Sequence, residues 1–189
     1  MKPINAYLDT CIISGIAKAD LKQDQQTATL ELLELRKKGI VFIVTSEIAK
    51  TEIEKIPEKY RYQHQAIYFL LSDVPICKTH SFHSRGLMGM EMGMGMGAGG
   101  NRINPIYKSL KDLLPDEQDA NHIYQASKNE IEYFLTADEQ TIIKYSEKIH
   151  EICNIIAVSP VEFYKIATKN LRFYNQKKGC GVTGSVTLV

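Results

Sequence analysis

The sequence predicts an α/β fold: a parallel sheet covered by helices on both faces. Short apolar runs of strand length recur along the chain, and helix-like segments separate them. This strand–helix alternation is the pattern of parallel sheets buried on both sides. Capping residues and prolines also stand where those helices should begin. Right-handed crossovers then bring the C-terminal ends of the strands to one edge.

Ile4–Leu8 reads as a first buried strand. Cys11–Ala19 forms a helix with Asp9 or Thr10 near its cap. Asp24–Lys38 is a stronger helix. Leu30, Leu32, Leu33 and Leu35 supply an apolar stripe, Asp24 suits the N-terminus, and Arg36-Lys37-Lys38-Gly39 is a stop signal. Ile40–Val44 is a second strand. Ser46 caps a helix to about Lys55, and Pro57 opens another to about Leu71. Asp119–Ala126 is helix-like. Glu132–Thr136 and Ile155–Val158 have strand length, with a helix from near Asp138 between them. Ser159-Pro160 starts a last helix.

The 189 residues suit a single domain with a substantial core, and 44% hydrophobic with 24% charged residues is an ordinary globular balance. No apolar run approaches the roughly 18–20 residues that span a bilayer. The chain enters a strand pattern directly after Met1-Lys2-Pro3, without a signal-peptide pattern. Cys11, Cys77, Cys153 and Cys180 lack regular spacing. The reading is a cytoplasmic protein with reduced thiols and no membrane association. A net charge of +1 is far from the basic excess of a dedicated nucleic-acid binder, although four acids in one cleft would mask local basic patches such as Lys165, Lys169, Arg172, Lys177 and Lys178.

Two segments break the alternation. A Met/Gly-rich loop at about 84–104 carries five of the six methionines. It reads as a loop between helices, or as a soft apolar arm that orders on a partner. The segment 171–189 reads as a C-terminal tail, leaving 1–170 as the domain.

Four carboxylates fall where strand-like runs pass into turns or helices. Asp9 ends the first strand, and Glu52 lies one to two turns beyond the second. Asp119 opens a helix, and Asp138 follows Tyr133-Phe134-Leu135-Thr136. The shared strand-end edge of an open sheet is where ligands bind. Four acids gathered there cannot all ionise without a cation, and a divalent ion with oxygen ligands fits. Singly, each has a plainer role. Asp9 and Asp138 can be helix caps, and Glu52 a solvated helix residue. His122, one turn past Asp119, reads as a surface histidine that can approach the cleft. Tyr60, Arg61 and Tyr62 suit helix packing or base stacking.

In their order, Leu8-Asp9-Thr10, Ser46 with Glu52, Asp119-Ala120 with Ala126, and Thr136-Ala137-Asp138 resemble the four acidic motifs of PIN-domain nucleases. Ala157-Val158-Ser159-Pro160 resembles that family's last strand and turn, and the VapC-type toxins look nearest. The resemblance spans about residues 4–168. It implies a PIN-like three-layer α/β/α sandwich with a four- or five-stranded parallel sheet. It implies an Mg²⁺- or Mn²⁺-dependent endoribonuclease, with Asp9, Glu52, Asp119 and Asp138 as catalytic residues and metal ligands. Thr10 and Thr136 would be hydroxyls that orient the carboxylates. Implied partners are an RNA substrate, an antitoxin and a second copy of the chain, with helices near residues 46–71 as the dimer surface. Glu47 competes with Glu52 for the second acid and Asp116 with Asp119 for the third. Cys11 stands where the family often has Asn. Two rivals are a catalytically inert PIN-like RNA- or protein-binding module and a phosphoacceptor domain. The phosphoacceptor would want a late-strand lysine, which Ile155–Ser159 does not offer.

Overall fold

The computed structural model describes residues 3–70, 74–84 and 102–179. The chain begins with β1 (Ile4–Leu8), α1 (Thr10–Lys18), α2 (Gln23–Lys37), β2 (Val41–Val44), α3 (Glu47–Lys55) and α4 (Glu58–Leu70). A short ribbon follows, β3 (His83–Ser84) antiparallel to β4 (Arg102–Ile103), then α5 (Pro105–Leu113) and α6 (Glu117–Lys128). The chain closes with β5 (Tyr133–Leu135), a 3₁₀ turn at Ile143–Tyr145, α7 (Ser146–Cys153), β6 (Ile156–Val158) and α8 (Pro160–Gly179). The Met/Gly-rich stretch from 85 to 101 and the tail from 180 lie outside the described residues, and α8 runs past residue 170.

The fold is α/β around a four-stranded parallel sheet of order β2-β1-β5-β6. Strand side chains alternate between faces, and both faces are apolar. Ala6 and Leu8 of β1 point to one side with Ile43, Leu135 and Val158. There they meet Ile12 and Ile13 of α1, Leu32 and Leu35 of α2, Ile53 of α3, and Phe163 and Ala167 of α8. Tyr7 points to the other side with Val44, Phe134 and Ala157, against Leu110 of α5, Ile123 of α6 and Ile149 of α7. Full burial of each such side chain is worth about 1.5–3 kcal/mol, so these two layers carry most of the stabilisation. Among the described residues, no helix is long and apolar enough to cross a membrane.

The expectation of four or five strands resolves to four. Ile76 makes only a single parallel bridge to Thr45 beside the end of β2. Two local expectations are corrected, and one helix is added. In α2, Leu32 and Leu35 are buried, but Leu30 is 56% exposed, because it lies outside the arc that faces the sheet and α8. No helix starts at Asp138. Its carboxylate accepts hydrogen bonds from the Gln140 and Thr141 amides at 3.0 and 2.7 Å, which favours a turn. The helix begins only at Ser146. α5 goes beyond the sequence expectation, although Asn104-Pro105 is a start signal: Asn104 Oδ1 accepts from the Ile106 amide at 3.0 Å with Pro in the first turn.

Candidate active site

All four sheet strands run parallel, so their C-terminal ends open on one edge. A cleft of about 490 Å³ lies there. Asp9, Glu52, Asp116, Asp119, His122 and Asp138 line it, with Thr10, Cys11 and the basic Lys55 among their neighbours. Four separate parts of the chain supply these acids. Asp9 directly follows β1, Glu52 lies in the second turn of α3, Asp119 in the first turn of α6, and Asp138 three residues beyond β5.

Asp9 is almost fully buried. It occupies the N-cap position of α1 without making a capping hydrogen bond, which corrects the plain cap reading. Its Oδ2 instead accepts from Thr136 Oγ1 at 2.7 Å. Thr136 Oγ1 also accepts from the Asp138 amide at 3.1 Å, so one buried hydroxyl fixes two of the acidic positions. Cys11 completes this knot. Its Sγ is 3.1 Å from Thr136 Oγ1 and accepts from the Ala137 amide at 3.2 Å. Burial, reinforced by the charge of Asp9, pushes the Cys11 thiol well above its ordinary range, so it is a protonated spacer and not a nucleophile. Asp138 caps no helix, which corrects its plain cap reading: its carboxylate organises the turn to Thr141, and the residue lines the cleft.

The competing acids separate by position. Glu47 is exposed at the start of α3 and does not line the cleft, whereas Glu52, five residues on, does. Asp116 and Asp119 both line it. Asp116 is the exposed N-cap of α6, accepting from the Gln118 amide at 2.8 Å, and Asp119 lies deeper. Burial and the charges of Asp9, Asp116 and Asp138 push the Asp119 carboxyl up to about 7, against a weaker opposing pull from His122. Asp119 is therefore the acid of the cleft whose ionised form is disfavoured, by burial first and by its acidic neighbours second.

The surface reading of His122 is overturned. It is 2% exposed, and its Nε2 donates to Glu52 Oε1 at 3.0 Å. Its Nδ1 is 2.6 Å from the Tyr7 hydroxyl, which is in turn 2.5 Å from Ser46 Oγ. Ser46 precedes α3 but makes no side-chain cap, because its hydroxyl is turned to Tyr7. Burial raises the Glu52 carboxyl, but the hydrogen bond and charge of His122 outweigh it and bring the group below its ordinary value. For His122, burial opposes the charged form, while the Glu52 hydrogen bond and the charges of Asp9, Glu52 and Asp119 win and raise it. Thr10 Oγ1 is buried at the cleft without a hydrogen-bond partner, close enough to Glu52 to favour its charge but outside bonding geometry.

Among the described residues, no three His, Cys, Asp or Glu side chains form a ready-made metal-binding group. The donor chemistry still fits a hydrated Mg²⁺ or Mn²⁺. The ligands are carboxylate oxygens from separate elements, the cleft is open, and the Asp119 carboxyl is held up first by burial and then by its neighbours' charge. Mg²⁺ usually keeps several waters and takes only one or two protein carboxylates, so acids set apart can hold it partly through water. No family model, curated protein or solved structure matches the chain.

Proposed function

We propose that this protein is a PIN-like endoribonuclease that hydrolyses RNA phosphodiester bonds with Mg²⁺ or Mn²⁺. The observation that carries the reading is the convergence of Asp9, Glu52, Asp119 and Asp138 on one cleft, with Asp119 raised to about 7 by burial and its acidic neighbours. Support also comes from the order of the four acidic motifs along the chain.

In this reading Asp9, Asp119, Asp138 and Glu52 hold the ion. Such an ion, when bound, acidifies water and neutralises charge developing on the phosphoryl oxygens. Thr136 keeps the Asp9 carboxylate aimed through its 2.7 Å hydrogen bond. Lys55, at the rim, offers a cation to a neighbouring phosphate. A second cleft of about 510 Å³ shares Cys11 and Asp138 with the first and is lined further by Asp20 and the Lys22–Glu139 ion pair. A toxin–antitoxin pairing, with an antitoxin over the cleft and a homodimer through the 46–71 helices, belongs to the same proposal and rests on the motif resemblance.

The test is cleavage of a labelled single-stranded RNA by the purified chain with Mn²⁺, beside Asp9→Asn. We expect the substitution to reduce cleavage by a factor of about 100 or more, as loss of a central electrostatic group does. Equal rates would defeat the proposal. A protein that retains RNA but neither cleaves it nor takes up Mn²⁺ would be an inert PIN-like module.

A further inference from the structure

Glu52 is the one acid of the four that reaches the cleft from α3, and a glutamate side chain there has rotamer freedom to lose. Ordering such a side chain costs conformational entropy. The structure contains a device that meets this cost in advance. His122 donates to Glu52 Oε1 from Nε2, and its other ring nitrogen is anchored on Tyr7. Tyr7 is fully buried, stacked on Phe134 with ring centroids 5.2 Å apart and planes 10° from parallel, and tied to Ser46. The hydrogen-bonded chain Ser46–Tyr7–His122–Glu52 thus joins the end of β2, the middle of β1, α6 and α3. It fixes the imidazole in place before any ligand arrives.

We propose that His122 is a positioning residue, held by Tyr7 and Ser46, that aims the Glu52 carboxylate into the cleft and leaves Oε2 for a divalent cation. The role rests on the metal-dependent reading of the cleft. Hydrogen-bond partners of this kind typically alter metal affinity by about 10–100-fold when removed. His122 itself is not a ligand in this account, since both of its ring nitrogens are engaged by protein atoms.

The amide side chains separate positioning from simple packing. Gln at position 122 places its terminal NH₂ near the site of Nε2 and reaches Glu52. Asn is one carbon shorter, reaches only toward Tyr7, and leaves Glu52 unsupported. Mn²⁺ affinity of the full chain is measured by calorimetry, with folding checked by circular dichroism. We expect His122→Asn to weaken Mn²⁺ binding about tenfold and His122→Gln to recover most of that loss. In a Glu52→Gln background, His122→Asn should add no further loss, because no carboxylate is left to aim.

If the unsubstituted chain binds Mn²⁺ and His122→Asn binds it equally tightly, the positioning role is overturned while the nuclease reading stands. Equal weakening by Asn and Gln overturns it too. No Mn²⁺ binding by the unsubstituted chain overturns the nuclease reading and this role with it. If neither position-122 variant folds, Tyr7→Phe decides. It keeps the stack on Phe134 and cuts the anchor, and we expect a loss of about threefold, a partial version of the direct effect. An unchanged affinity there removes the role.

Discussion

Asp119 carries a cost that its surroundings make measurable. With a folded-state value of about 7 against an ordinary 3.8, it holds its proton in the folded protein across a window where the unfolded chain has released it. The unfolded state then binds fewer protons, so stability falls as pH rises from about 4 to 7, and the loss is complete above that range. Asp119→Asn removes this term. Without added metal, the melting temperature of the unsubstituted protein should drop more between pH 5 and pH 8 than that of Asp119→Asn, and thermal melts at the two pH values would show it. On the proposed function, an acid that destabilises its own fold is the expected trade between activity and stability. The residues of the cleft differed in how far sequence could find them. Asp9 and Asp138 announce themselves as acids just beyond apolar strands. His122 does not, because a lone histidine one turn past an acid has no signature of burial. Its anchor Tyr7 is 115 residues away and reads as an ordinary strand aromatic. Only the spatial meeting of β1 with α6 makes the pair. Ser46 misleads in the opposite sense: it has the residue type and place of a helix cap but spends its hydroxyl on Tyr7.

At the scale of elements, the passage from α2 into β2 controls where α3 and Glu52 begin. α2 ends at Lys37, and the chain reverses through Gly39 at φ +69, closed by Gly39 N–H to Arg36 O at 2.8 Å and Ile40 N–H to Leu35 O at 3.0 Å. A methyl group at Gly39 would touch nothing within 4 Å, so the penalty of Gly39→Ala is conformational alone. We expect a loss of about 1–2 kcal/mol, read as a lower urea midpoint with an unchanged slope. This element boundary was legible, since Arg-Lys-Lys-Gly is a stop signal in charge and in backbone freedom alike. The turn after β5 was not. Asp138 has the look of a helix start, but the Gln140 and Thr141 amides together with the Thr141 hydroxyl take up its carboxylate and commit the acid to a turn. α5 was obscured for a different reason: its Asn104-Pro105 start lies only a few residues past a glycine-rich run that draws attention to itself.

For the molecule as a whole, the two apolar layers could be read from strand alternation, but the order of the strands could not. β1 lies inside the sheet between β2 and β5, and nothing local distinguishes a central from an edge position when every strand is apolar on both sides. That order matters, since it sets Asp9 between the acids that follow β2 and those that follow β5. A ligand that draws these acids together acts on the whole fold, because they hang from β1, α3, α6 and the β5 turn. On the proposed metal-dependent function, Mn²⁺ at 100 times its dissociation constant should stabilise the protein by about 2.7 kcal/mol, and Asp9→Asn should abolish the shift. Thermal melts with and without Mn²⁺ at pH 7 would measure it. The two-residue ribbon of β3 and β4 has another consequence. Ser84 pairs with Arg102, so the chain that leaves one strand returns beside it through a narrow neck. Closure of a flexible insert costs only about 0.6 kcal/mol more per doubling of its length, so a reporter domain carried on flexible linkers between the two strands would leave the parallel sheet and its strand-end cleft undisturbed.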